Sequence, residues 1–219
     1  MTILRNVSAL LLALLITACS TSVEKPGAES EPTAPVLISP YQQNAKPVAS
    51  EAKRYFADAR EAMQAQQWQQ AEQHLSWIMQ HYPQYSGPVV NRAVVAEQLS
   101  QLELAEQYYR KALQVNAYNL TAYNRYAIFL RQQGRFNEAE KAYQKALAVW
   151  QHDADSHRNL GILYELYMGR LADAQQHYQQ YLQLREQTPQ PFVADKAYKQ
   201  VQGWVIDIER RLQKQEQAG

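Results

Sequence analysis

The chain has 219 residues, carries 22 basic and 21 acidic side chains, and contains one cysteine. A protein that binds nucleic acid needs a basic face, so this balance of charges argues against a nucleic acid partner. A single cysteine also excludes an internal disulfide bond.

The N-terminal residues 1–18 are predicted to be a signal peptide. Arg5 is the only charge before an apolar run, Val7 to Ile16, which is too short to span a bilayer. The run ends in Ile16-Thr17-Ala18-Cys19. This tetrapeptide resembles the bacterial lipobox, and the resemblance implies that the Cys19 thiol is diacylated and that Cys19 becomes the new N-terminus. The alternative is an ordinary secretory signal with a chance cysteine.

The residue after the predicted lipidation site indicates in which membrane a lipoprotein is anchored. An aspartate there would favour retention in the inner membrane, so Ser20 favours the outer membrane. Cleavage removes one arginine and no acidic residue, which leaves a neutral chain. Membrane attachment would therefore come from the lipid, and several acyl chains make it stable. We expect an outer-membrane lipoprotein whose folded part lies in the periplasm.

Residues 19–50 are predicted to be a disordered tether behind the lipidated cysteine. The segment has little apolar periodicity and is rich in Ser, Thr, Ala and Glu. Such a composition buries too little apolar surface to fold, and its prolines favour an extended chain. It holds five of the nine prolines of the chain: Pro26, Pro32, Pro35, Pro40 and Pro47.

A regular period organises the next part of the chain. The same spacing separates Ala71 from Ala105, Ala105 from Ala139, and Tyr109 from Tyr143. Such a period of about 34 residues is typical of tetratricopeptide (TPR) repeats, which are helix pairs that stack into a solenoid. We therefore predict an all-α fold in which residues 51–188 form four repeats. Their predicted bounds are 52–85, 86–119, 120–153 and 154–188.

Two details refine the predicted array. Gly134 is expected to end the first helix of the third repeat in a left-handed conformation. The second half of the fourth repeat is one residue late, so an insertion is predicted near Met168-Gly169.

Residues 189–219 are predicted to form a capping helix over the last repeat, because the end of a solenoid must be covered. Gly203 lies inside this helix, and a close approach to the fourth repeat would explain it. The predicted apolar stripe is Val193, Ala197, Val201, Trp204, Val205, Ile208 and Leu212.

The resemblance to TPR proteins also implies a binding surface, because their concave groove is lined by the first helix of each repeat. Arginine and asparagine there would donate hydrogen bonds to carboxylates and peptide groups. Asn91 and Arg125 match part of the pattern of TPR domains that clamp a C-terminal carboxylate. For Asn91 and Asn159, hydrogen bonding to a neighbouring repeat is the alternative. The predicted groove residues are Phe56, Arg60, Asn91, Asn124, Arg125, Arg131, Arg158 and Asn159.

We find no motif for catalysis and expect no catalytic residue, cofactor or metal. The one cluster of metal-ligand type runs from His152 to His157. It falls at the boundary between two repeats, where Asp155 or Ser156 is expected to cap the next helix. A zinc site would need three or four ligands that converge.

Lipobox, tether and repeats together resemble the TPR lipoproteins of proteobacteria, among them the type IV pilus pilotins that help a secretin reach or assemble in the outer membrane. The resemblance implies a non-catalytic scaffold that binds other envelope proteins. Two binding alternatives are an adaptor for peptidoglycan enzymes and a part of a TonB-type energised system. The alternative of another class is an envelope enzyme subunit with a metal site at 152–157.

Overall fold

The computed structural model describes residues 37–187 and 192–218, and within these ranges it contains helices and no strand. None of the helices in these ranges is long and apolar enough to cross a membrane. The helices are α1 Pro40–Gln43, α2 Ser50–Gln64, α3 Trp68–His81, α4 Ser86–Gln98, α5 Leu102–Val115, α6 Leu120–Gln132, α7 Phe136–Val149, α8 Ala154–Leu163, a π-helix Tyr164–Met168, α9 Leu171–Glu186 and α10 Lys196–Ala218.

The helices pack as successive pairs. Helix α2 contacts α3, α4 contacts α5, α6 contacts α7, and α8 contacts α9. The first helices of neighbouring pairs also touch, since α4 contacts α6 and α6 contacts α8. Helix α10 packs on α9. The predicted all-α solenoid of four helix pairs with a C-terminal capping helix is confirmed.

The alanine and tyrosine columns of the sequence form the core. Ala71, Ala105 and Ala139 are fully buried, as are Tyr109 and Tyr143 of the second helices. Small side chains let the two helices of a pair approach closely, and the large rings fill the space between them. The repeat period of the sequence is therefore a packing requirement.

The turns inside the repeats share one backbone conformation. Gly134 has a φ of +73°, which confirms the left-handed end predicted for α6. Gln66 and Ser100 occupy the equivalent turns of the first and second repeats, and both have a φ of +58°, which is unfavourable for side chains with a Cβ.

The fourth repeat departs from the others in two places. The insertion predicted near Met168-Gly169 takes the form of the π-helix, which accommodates one extra residue before the turn at Gly169. Gly161 on α8 lies against Tyr178, and a Cβ at this glycine would be 2.5 Å from the Tyr178 ring. Only glycine fits there.

Helix α10 covers the last repeat with Tyr198, Val201, Val205 and Ile208, all of which are buried. Two details of the predicted helix are wrong. Val193 precedes the helix and is 75% exposed, so it is not part of the packed stripe. A Cβ at Gly203 would meet no atom within 4 Å, so no close approach explains this glycine.

The described end of the predicted tether also differs from the prediction. Helix α1 is held by a capping box in which Ser39 and Gln42 bond to each other's backbone, and α2 already begins at Ser50. Ser39 is buried. The predicted signal peptide, Cys19 and the tether up to residue 36 lie outside the described residues.

A series of ion pairs joins each repeat to the next. Glu72 pairs with Arg92, Glu106 with Arg135 at 2.6 Å, and Glu140 with Arg170 at 2.7 Å. The glutamates are spaced by one repeat length, and each arginine belongs to the following repeat. Hydrogen bonds from Arg135 are the main reason that the pKa of Glu106 falls to about 2. These glutamates form what we call the glutamate ladder.

Candidate functional site

We call the face lined by the first helices α2, α4, α6 and α8 the groove. Its N-terminal half contains a cavity of about 520 Å³. The walls are Phe56 of α2, Val90 and Asn91 of α4, and the loop before α8 with Trp150. Part of the protein's own N-terminal segment completes them, namely Leu37, Ser39, Tyr41 and Gln42.

A second cavity of about 360 Å³ lies next to the first and shares two of its residues, Phe56 and Asn91. Arg60 lines this second cavity. The structure thus brings together three of the predicted groove residues, with an aromatic ring, an amide and a guanidinium group around two neighbouring cavities. This arrangement suits an amphipathic segment of another protein.

The amides of Asn124 and Asn159 lie elsewhere than predicted. Both side chains are buried, and Asn124 Nδ2 donates to Asp153 at 2.8 Å and to Ser156 Oγ at 2.9 Å. Asn159 Nδ2 in turn donates to Asn124 Oδ1 at 3.1 Å. These amides join the third repeat to the fourth, so the prediction that they bind a partner's backbone is corrected. For Asn159 the alternative of a bond to a neighbouring repeat is the one observed.

The arginines of the groove have different surroundings. Arg125 is exposed and lies near Glu97, whose pKa is raised mainly by burial and lowered in part by this positive charge. Arg131 and Arg158 are half-buried and rest on aromatic rings, with guanidinium carbons 5.3 Å and 6.0 Å from the ring centres of Tyr167 and Tyr181. Aromatic faces stabilise such cations but accept no strong hydrogen bond.

Several buried polar atoms around these two arginines have no hydrogen-bond partner among the described residues. They are Nε and Nη1 of Arg131, Nε of Arg158, and the hydroxyl of Tyr143. Burial raises the pKa of Tyr143 to about 12, while the charges of Arg131 and Arg158 lower it, so both guanidinium groups lie close enough to act on this hydroxyl. We call Arg131, Tyr143 and Arg158 the Arg–Tyr cluster.

The cluster of metal-ligand type at 152–157 is not assembled into a metal site. The side chain of Asp153, and not Asp155 or Ser156, caps α8 by accepting from Ser156 N, which corrects the predicted cap. The ring of His157 bonds to the Gln151 carbonyl at 3.0 Å and to His177 at 2.9 Å. No three His, Cys, Asp or Glu side chains in the described ranges converge on one point.

Three of these features were not predicted from the sequence: the pairing of His157 with His177, the Tyr143 hydroxyl without a partner among the described residues, and the hydrogen bonds of Asn124 to Asp153 and Ser156. The sequence did contain a signal for the environment of the Tyr143 hydroxyl. Glu97, Arg131 and Glu165 are spaced by one repeat length and oppose the tyrosine column, so a change from acid to base in the middle of the series was visible. The histidine pair depends on how α8 lies on α9 and has no sequence signature.

Comparison with known families agrees with this architecture. Residues 118–187 match a family model of the tetratricopeptide repeat, and residues 89–119 match a second one. The helix pairs between residues 89 and 187 are therefore similar to tetratricopeptide repeats. TPR repeats typically serve as non-catalytic scaffolds that bind other proteins. No curated protein sequence matches this one.

Several solved structures share the TPR fold of this chain. The pilF protein of Pseudomonas aeruginosa is 23% identical with a TM-score of 0.62, and the match covers 75% of this chain and 70% of that one. BtubC of P. vanneervenii is 19% identical with a TM-score of 0.62, covering 72% and 71%. A tetratricopeptide repeat protein of Parabacteroides merdae is 15% identical with a TM-score of 0.57, covering 77% and 64%.

Proposed function

We propose that the protein is a lipid-anchored assembly factor on the periplasmic side of the outer membrane, and that its groove binds an extended or helical segment of another envelope protein. The lipobox-like residues Ile16–Cys19 and the following Ser20 support the anchor and its destination. The TPR repeats support the binding role.

The observation that carries the binding role is the division of the groove into two kinds of surface. Its N-terminal half offers cavities lined by Phe56, Arg60 and Asn91. Its C-terminal half offers Arg131 and Arg158, whose buried nitrogens lack acceptors among the described residues. A half-buried guanidinium group whose buried nitrogens lack acceptors among the described residues is stabilised by an acidic group, so this half suits a segment with acidic groups.

Among envelope systems, we propose type IV pilus assembly, with a subunit of the outer-membrane secretin as the partner. The succession of lipobox, tether and TPR array resembles the pilotin lipoproteins. The structural similarity to the pilF protein of Pseudomonas aeruginosa concerns the fold and is consistent with this choice.

The test is a double charge reversal in the groove, Arg125→Glu with Arg158→Glu. We expect the variant to lose co-purification with the secretin subunit while its helical circular dichroism stays unchanged, because both cations would become acidic. The matched control is Lys141→Glu with Lys145→Glu, two exposed lysines on α7, which should still co-purify. If the groove variant still captured the secretin, the binding surface would lie on the second helices or on α10.

A further inference from the structure

A polar contact recurs between the two helices of a repeat. In the second repeat the hydroxyl of Tyr109 on α5 donates to the carboxylate of Glu97 on α4. In the fourth repeat the hydroxyl of Tyr178 on α9 donates to the carboxylate of Glu165 at 3.0 Å. Each of these two buried tyrosines therefore has an acidic acceptor from the first half of its own repeat.

The third repeat has the same tyrosine but no such acceptor. Arg131 stands one repeat length after Glu97 and one before Glu165, in the place of the carboxylate. A guanidinium group only donates hydrogen bonds, so Arg131 cannot accept from Tyr143. The Tyr143 hydroxyl and the Nε and Nη1 atoms of Arg131 are accordingly all without partners among the described residues.

Arg158 of α8 adds a third buried donor, since its Nε also has no partner within the part of the protein that the structure describes. Both arginines lie near the Tyr143 hydroxyl, and their charges oppose the rise in its pKa that burial causes. Tyr167 and Tyr181 support the two guanidinium groups by their ring faces. The Arg–Tyr cluster therefore presents several donors and two positive charges, and no carboxylate among the described residues accepts from these donors.

We propose that the Arg–Tyr cluster is a binding site for a carboxylate from outside the protein. A carboxylate has the required charge, accepts from several donors at once, and is planar like the guanidinium groups that would face it. It is also the group that the protein itself places beside the tyrosine in the second and fourth repeats. The ligand would thus complete the third repeat as Glu97 and Glu165 complete theirs.

This proposal rests on the proposed function in one respect, namely that the carboxylate belongs to the segment bound in the groove. It differs from the clamp pattern predicted from the sequence, which involves Asn91 and Arg125. The carboxylate is that of a polypeptide C-terminus or of an acidic side chain, and the test below distinguishes the two.

The test follows the arginine Nε–Hε resonances of the ¹⁵N-labelled full-length protein by NMR during titration with three short peptides. Acetyl-Ala-Ala-Ala with a free C-terminus carries only a terminal carboxylate. Acetyl-Ala-Glu-Ala-amide carries only the carboxylate of its glutamate, and acetyl-Ala-Gln-Ala-amide carries none. We expect a carboxylate peptide to shift the resonances of Arg131 and Arg158 and to leave that of Arg210, which is exposed on α10, in place.

Two variants sharpen the test. Arg131→Glu rebuilds the contact of the other repeats, and it should weaken binding seen at Arg158 by about tenfold or more, because a charge-assisted hydrogen bond is lost and a like charge introduced. Lys141→Glu makes a similar change of charge at an exposed position of α7 and should leave the titration unchanged. Tyr143→Phe, which keeps the ring, should weaken binding to a smaller extent.

The proposal is overturned if neither carboxylate peptide shifts Arg131 and Arg158, or if the glutamine peptide shifts them equally. Because no partner protein enters this measurement, its outcome is separate from that of the proposed function. A positive titration combined with unchanged secretin capture by the groove variant would refute the proposed role of the groove in secretin binding and keep the carboxylate site.

Discussion

At the scale of single residues, Tyr109, Tyr143 and Tyr178 of the second helices differ in the group that faces their hydroxyl. Tyr109 faces Glu97, Tyr178 faces Glu165, and Tyr143 has no acceptor among the described residues. All three rings are buried, so a substitution that keeps the ring isolates the contribution of the hydrogen bond.

We predict opposite outcomes for the same substitution at two of them. Tyr109→Phe leaves the half-buried carboxylate of Glu97 without its donor and should lower the free energy of unfolding by about 1–2 kcal/mol. Tyr143→Phe removes a hydroxyl that has no partner among the described residues and should leave that free energy unchanged or raise it. Urea unfolding of both variants measures the difference, and an equal loss in the two would contradict the assigned contacts.

The histidine pair predicts a pH dependence of stability. Burial, and then the neighbouring His157, lower the pKa of His177 to about 4. An unfolded histidine has a pKa of about 6.5, so between these values the unfolded protein takes up a proton that the folded protein does not. The contribution of His177 to the free energy of unfolding should therefore be greatest above pH 6.5 and should fall as the pH drops towards 4. Because the ring is partly in solvent, the loss should be less than about 1.4 kcal/mol per pH unit.

The measurement is urea unfolding at pH 7.0, 5.5 and 4.5 for the parent protein and for His177→Asn. The variant should show a smaller loss over this range, because it lacks the ring that titrates. His81→Asn, at an exposed histidine of α3, serves as the control and should lose stability as the parent does. A slope in His177→Asn equal to that of the parent would show that other groups cause the acid sensitivity.

At the scale of helices and turns, the left-handed turn residues predict a stabilising substitution. Gln66 adopts a φ of +58°, where Gly134 occupies the equivalent turn of the third repeat. Since a Cβ is strained in this region, Gln66→Gly should raise the free energy of unfolding by about 0.5–1 kcal/mol. The reciprocal Gly134→Ala should lower it by a similar amount. Thermal unfolding of both variants tests this, and a loss of stability in Gln66→Gly would be contrary to expectation.

Much of the arrangement of helices and turns could be predicted from the sequence. The spacing of Ala71, Ala105 and Ala139 predicts the helix pairs, because a small side chain such as alanine lets two helices approach closely. Helix α1 could also have been predicted, since Ser39 and Gln42 have the spacing of a capping box. The π-helix could not, because a one-residue delay in the pattern marks an insertion without saying whether a loop or a helix absorbs it.

The polar contacts of the groove were less predictable. An asparagine on a first helix looks the same in sequence whether its amide faces a partner or a neighbouring repeat. Asn124 faces Asp153 and Ser156 because α6 and α8 lie side by side, and this depends on distances between helices. Arg131 was predicted as a groove residue from its position, but the lack of an acceptor around it among the described residues is a property of the packed third repeat.

At the scale of the whole molecule, the proposed location depends on one thiol. If Cys19 is the acylation site, Cys19→Ser should give an unprocessed or soluble protein, because the hydroxyl cannot receive the diacyl lipid. Fractionation of membranes with detection of the protein measures this. Ser22→Ala leaves the lipobox-like residues intact and should remain in the outer membrane. A Cys19→Ser protein that is processed and bound to the outer membrane like its parent would refute the lipid anchor.

The glutamate ladder ends at the third repeat. Glu72, Glu106 and Glu140 each meet an arginine of the next repeat, but the equivalent position of the fourth repeat is Gln175. Its side chain donates to Glu209 of α10 at 3.3 Å, where a further carboxylate would meet like charge. In each ion pair the glutamate belongs to the earlier repeat and the arginine to the later one, so the array has a direction. Its last repeat has the uncharged Gln175 at the position of the glutamates. An arginine of a second copy of the protein would find no carboxylate to pair with at this position. Ion pairs of the kind that join the repeats therefore do not favour head-to-tail polymerisation.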